Sequence, residues 1–190
     1  MNAKNDTANH ILDIAERYTQ TRGFNAFSYR DIQDELGIKT SSIHYHFATK
    51  HDLAIAMIER YLESYQAALG QIDDKHSKAV SKLQALGDVF ILGAKQGKFC
   101  LCGMLAADIL AMPNVVEQHL DQFFSLSEEW ITHTLKQGIA DGEISNLVNP
   151  KNAAAHFLAA LEGGMLIART RKQPKYLAAV ISHALAQLEA

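Results

Sequence analysis

Two hydroxyl–carboxylate pairs, Ser28 with Asp31 and Thr49 with Asp52, frame a short stretch with Gly37 between them and leave the chain there little freedom. In each pair a hydroxyl at a helix N-cap faces a carboxylate three residues on, so the two side chains can satisfy orphan amides at both ends of the first turn. Phe27 just before the first cap and Ile32 inside it form a hydrophobic staple that sets the entry angle, and Leu36 completes the buried stripe. Gly37 then supplies the permissive backbone that a tight turn between crossing helices needs. Upstream, Ile11, Ile14, Ala15 and Tyr18 share one face of a helix that stops near Gly23, with Asp13, Glu16 and Arg17 opposite. Phe24 and Phe27 anchor this small unit, each worth roughly 1.5–3 kcal/mol if fully buried.

The helix expected from about Lys39 to His44 or Tyr45 keeps Ile38, Ile43 and Phe47 for the core and turns Lys39, Thr40, Ser41 and Ser42 outward. Such a polar segment has poor intrinsic propensity and must be held by its neighbours, and a polar outer face on a packed scaffold is what insertion into a DNA groove requires. Small hydroxyls approach base edges and phosphates closely, and Lys39 can reach a guanine or a phosphate. Lys50 sits in the first turn of the next helix, where a cation is unfavourable to the dipole unless a phosphate docks at the exposed amides. Solvent exposure is the bland alternative for Lys50. The expected partner is double-stranded DNA.

Composition sets the rest. Among 190 residues, 48% are hydrophobic types, and only 3 prolines and 11 glycines interrupt them, which favours an all-α fold over any sheet. The net charge of −3 lies outside the reader, because residues 1–51 hold six basic and six acidic side chains. Long-range attraction to a polyanion is therefore small, and binding must come from positive groups placed on one face. No stretch of about 18 apolar residues lacks charge and the opening MNAKNDTANH has no apolar export segment, so a cytoplasmic chain that does not enter membranes is expected.

Gly23-Phe24, Asp31-Ile32, Leu36-Gly37-Ile38, Ile43-His44-Tyr45-His46-Phe47 and Lys50-His51-Asp52-Leu53 together resemble the DNA-binding domain of the TetR/AcrR family of transcriptional regulators. The resemblance covers roughly residues 7 to 54 and implies a homodimer placing two reader helices in successive major grooves. Lys39, Thr40, Ser41 and Ser42 would then face DNA, with His44, Tyr45, His46 and Lys50 near them. This chain has Ser41 where the family commonly has Gly, and His44 where it commonly has Tyr; a protonatable His44 can donate to phosphate. The division expected is a helix-turn-helix domain over 1–54 and a helical effector-binding and dimerisation domain over 55–190.

In that second part the helix begun at Thr49 should run to about Gly70 before DDKHS breaks it. Further apolar stripes follow from Val80 to Gly97, over the short Cys100–Leu110, from Val115 to Gly138, and after the start signal Asn149-Pro150. The last two helices, paired across a two-fold axis, are expected to form the dimer interface. Phe90, Met104, Asp108, Phe123, Trp130, Phe157 and Tyr176 are candidates to line a pocket for a small hydrophobic or aromatic effector, with ordinary core packing the alternative for each. Cys100 and Cys102 point in different directions on one helix, so they are expected as free thiols, and a thiol-sensing regulator is one alternative function. No metal set or cofactor motif stands out, nor any glycine-rich phosphate loop or nucleophile elbow, so an enzyme is not expected. The reading is a repressor that binds a palindromic operator as a homodimer and is released by its effector. An architectural DNA binder without effector would share the same front end, and a helical enzyme or interaction protein would leave that front end unexplained.

Overall fold

The computed structural model describes residues 3–145 and 148–188. Nine α-helices and two short 3-10 turns are present among them: α1 Ala3–Arg22, a turn Phe24–Ala26, α2 Tyr29–Leu36, α3 Thr40–His46, α4 Lys50–Lys75, α5 Ala79–Lys95, α6 Leu101–Ala106, a turn Ile109–Ala111, α7 Asn114–Ala140, α8 Pro150–Thr170 and α9 Pro174–Ala186. None of the described helices is long and apolar enough to cross a membrane. The chain gathers into two compact units, Met1–Glu63 with Cys100–Gln122, and Ser64–Phe99 with Phe123–Ala190. The boundary expected after residue 54 falls within α4.

In the first unit the apolar stripe of α1 is buried as its periodicity requires, with Ile11, Ile14, Ala15 and Tyr18 at most 6% exposed. α1 packs against α2, α3, α6 and the turn at Phe24–Ala26. Phe24, Phe27, Ile32, Ile43, Phe47, Leu53 and Met57 fill the space between them. Arg60 of α4 reaches back to α1, pairing with Asp13 at 2.7 Å and Glu16 at 2.8 Å. Across α1 and α2, Tyr18 donates to Glu35 at 2.6 Å and Arg17 pairs with the same carboxylate, which these two donors hold below the usual carboxylate range.

The second unit is built on α5, α8 and α9, packed against one another. Close approach is possible because Gly87 and Gly164 carry no Cβ: one added at Gly87 would lie 2.9 Å from Ile181, and one at Gly164 2.9 Å from Leu177. Leu177 and Ile181, four residues apart on one face of α9, are at most 1% exposed. α9 was not among the expected helices, and it packs against α8 within the chain. Its signal was Pro174 at the first helical position, the same device that starts α8 at Pro150 behind the Asn149 cap. α4 also runs through the expected break to Lys75. Asp73 there accepts from the Trp130 indole N–H at 2.9 Å and pairs with Lys82 at 2.7 Å. Burial opposes its charge, but those two donors outweigh that effect and hold its pKa down.

Candidate nucleic-acid interface

α2 and α3 form the helix-turn-helix within the first unit. The Asp31 carboxylate accepts from Ser28 N–H at 2.7 Å and from its hydroxyl at 2.6 Å, which lowers the Asp31 pKa. Gly37 ends α2 in the left-handed region, φ 68°, and its N–H returns to Gln33 O at 2.8 Å. At Thr49 the capping box is complete, with Thr49 N–H donating to Asp52 at 2.9 Å and Asp52 N–H to the Thr49 hydroxyl at 3.1 Å.

α3 spans seven residues, too few to hold a helix alone, and three polar contacts locate it and its surroundings. Gln33 of α2 accepts from Thr40 N–H at 3.0 Å and from the Thr40 hydroxyl, so a residue of the preceding helix caps the reader. At the other end, the buried Tyr29 hydroxyl lies 2.9 Å from Phe47 O and 2.6 Å from Thr49 O, tying down the turn into α4. Its burial, with Asp52 nearby, pushes the Tyr29 pKa well above the ordinary phenol value. Neither Gln33 nor Tyr29 was singled out in the sequence, because each acts through a backbone group seven or more residues away.

The third contact corrects an expectation. The Lys50 ammonium does not project to solvent but donates to Phe24 O and Phe27 O, 4.4 and 4.2 Å from the centroids of the two phenyl rings. Half-burial lowers its pKa against the opposing pull of Asp108 and Asp31. It is a bolt under the 24–27 turn that leads into α2. Thr40 likewise spends its hydroxyl proton on Gln33 and is half-buried.

On α3, Ile43 and Phe47 face the core, while Ser41, His44 and Tyr45 share the opposite face, with Tyr45 68% exposed. Lys39, at the N-cap, is exposed, and Ser42 and His46 flank the face half-buried. His44 Nδ1 lies 3.0 Å from Ala48 O. A carbonyl only accepts, so Nδ1 carries a proton, and Nε2 is the ring nitrogen left for an outside partner. The donor role expected toward phosphate and an acceptor role toward a base amino group are both open to that nitrogen.

The seven residues expected around an effector are divided between the two units. Met104 and Asp108 belong to the first unit and the other five to the second. Phe123 is fully buried against Tyr65 and Phe124, with ring centroids 4.9 and 5.4 Å away, and Phe90 is 5% exposed; both are core. Trp130 is engaged by Asp73, and Tyr176 lies beneath Arg171, 5.0 Å away. Phe157 lines a cavity of about 270 Å³ in the second unit, beside His156 and Leu188. Periodicity could not separate pocket from core, because both use the same side chains on the same face. Cys100 and Cys102 form no disulfide among the described residues and are buried, at 3% and 0% exposure. Cys100 caps α6, its sulfur 3.5 Å from Gly103 N.

Comparison with known proteins places this geometry. Residues 11–57 match the family model described as bacterial regulatory proteins, tetR family, and residues 79–184 match the tetracyclin repressor-like C-terminal domain. A TetR-family regulator from Agrobacterium tumefaciens superposes with a TM-score of 0.94 at 28% identity, over 98% of this chain and 100% of that one. A TetR regulator from Legionella pneumophila does so with a TM-score of 0.84 at 31% identity, over 95% and 96%. The transcriptional repressor KstR2 of Mycobacterium tuberculosis is 29% identical over 82 residues, 43% of this chain and 41% of that protein, so the match spans less than half the length of that curated relative. One family model fits the reader, a second fits more than half of the chain behind it, and whole-length structural relatives carry the same arrangement: the chain belongs to the TetR family of transcriptional regulators.

Proposed function

We propose that the chain is a transcriptional repressor that binds a palindromic operator as a homodimer and is released by a small-molecule effector. The observation that carries the DNA-binding part is the outward face of α3: Ser41, His44 and Tyr45 are exposed there, while the polar groups around them are spent on fixing the helix. Ser41 and His44 are the base readers in this proposal, Lys39 the phosphate contact at the helix start, and Ser42, Tyr45 and His46 contacts to the backbone. Lys50 serves from within. The named repressor among the relatives supports repression as the sign of regulation. For the dimer, α8 leaves Leu166 58% and Ile167 38% exposed, in line with the small exposed Ala155 and Ala159, and α9 adds exposed Ala178, Ala179 and Ser182. That is a flat, largely uncharged surface suited to a second copy of itself. Joining two readers fixes their spacing at about 34 Å, one turn of duplex.

The test is selection of bound duplexes from a random pool with the full-length chain, followed by competition with a chemically broad set of small molecules. Enrichment of an inverted repeat, bound by a dimer and released by some member of the set, is the expected result. Recovery without sequence preference refutes the operator reading, and an operator that no compound releases points to an architectural binder. In the same selection Ser41→Ala should change the preferred bases more than the overall affinity.

A further inference from the structure

We propose that the second unit carries a binding site for a small organic anion, a carboxylate with an apolar body, where α5 and α8 end and α9 begins. A cavity of about 270 Å³ lies there, with Ala94, Met165, Ala168 and Pro174 among its apolar walls. Lys95, Lys98, Arg169 and Lys172 also line it, and no carboxylate does. Four cations around one cavity, in a chain of net charge −3, make a local field of the opposite sign to the whole.

Three of the four are not neutralised by their neighbours. Lys95, Lys98 and Lys172 have no side-chain ion pair or hydrogen bond among the described residues, and Arg169 lies 5.4 Å from the Phe99 ring. Lys95 and Arg169 lie in the last turns of α5 and α8, and Lys98 and Lys172 follow just beyond them. Lys172 also sits at φ 53°, the left-handed region, as the one non-glycine residue there among those described. Glycine or asparagine would occupy that position more readily, so the side chain that stays is one the cavity uses.

The volume is that of about nine waters, at roughly 30 Å³ each, which fits one or two fused rings or a short acyl chain. An inorganic anion would leave the apolar walls unused, and a neutral apolar ligand would leave the three lysines unmatched. The ligand class deepens the effector reading above, on which its regulatory meaning rests.

The probes are 2-naphthoate, its carboxamide and inorganic phosphate, titrated calorimetrically against the full-length chain without DNA. Naphthoate should bind at least about tenfold more tightly than the carboxamide, the factor expected for one charge-assisted contact, and phosphate should not compete at equal concentration. Lys172→Gly removes the cation and relieves the left-handed backbone, so it cannot lose binding by unfolding; a loss of about fivefold or more is expected. Ala94→Phe fills the cavity and should abolish binding. Equal affinity for the carboxamide, or an unchanged Lys172→Gly variant, overturns the site. Displacement of naphthoate by a short duplex of arbitrary sequence also overturns it, by marking the cluster as a phosphate-backbone contact. Because the titration needs no operator, failure of the site is distinct from failure of the repressor reading; naphthoate that binds without changing operator affinity overturns its assignment as effector.

Discussion

Replacing Lys50 by methionine keeps the aliphatic stem and removes only the ammonium, which separates an interior role from a role at a phosphate. In the wild type that ammonium donates to Phe24 O and Phe27 O and faces two aromatic rings. Each hydrogen bond from a charged donor is worth about 1.5–3 kcal/mol, and the ring contacts add about 0.5–2 kcal/mol. Against these stands the desolvation of a half-buried cation, which its depressed pKa records and which the variant no longer bears. A net loss of about 1–3 kcal/mol follows, or roughly 2–12 °C in melting temperature for a chain of this size. Operator affinity should fall with the weakened first unit, but the slope of log K against log salt should not change. Loss of a phosphate contact would instead reduce that slope by about 0.9 at unchanged melting temperature. That second pattern, in melting and filter-binding series on one preparation, would refute the interior assignment.

Two further perturbations test the same unit. Gln33→Ala should destabilise by about 0.5–2 kcal/mol, the usual cost of a lost helix cap, and should speed hydrogen exchange at the Thr40 amide; unchanged exchange there would mean that Gln33 does not cap α3. For Glu35 the folded-state pKa lies below its ordinary 4.5, so its contribution is present above that value and is lost as pH falls through the depressed one. Glu35→Gln should therefore flatten the acid limb of stability measured by urea unfolding, and a limb as steep as wild type would assign acid sensitivity elsewhere.

What the sequence disclosed was local. The helix starts at Ser28, Thr49 and Asn149 were legible because each cap and the amides it satisfies lie within three residues, and the buried stripes followed from period alone. Lys50 was misplaced because its partners are carbonyls 23 and 26 residues upstream, and carbonyls leave no trace in residue identity. Gln33 and Tyr29 were passed over for the same reason. The second unit was less legible still. Pro174 was a start signal of the kind recognised at Pro150, yet the preceding Lys172-Gln173 offered no side-chain cap, so α9 lacked the paired cue that α8 had. The cationic cavity is assembled from the ends of α5 and α8 and the approach to α9, three segments that no single periodic pattern joins.

In the reader, the polar residues divide into two populations with different physical tasks. Gln33, Tyr29, Thr40 and Lys50 spend their hydrogen bonds inward, and since α3 is too short to persist alone, its position is as good as those bonds. Ser41, His44 and Tyr45 keep an exposed face and, with the adjacent Lys39, are placed to exchange water for bases or phosphates. A change in the first group alters how often the reader is in place, which scales affinity for every duplex by one factor and leaves the order of preference intact. A change in the second alters which duplex is preferred at constant stability. The Ser41 hydroxyl and the His44 ring both fall in the second group. Operator choice is thus free to change without disturbing the scaffold that presents it.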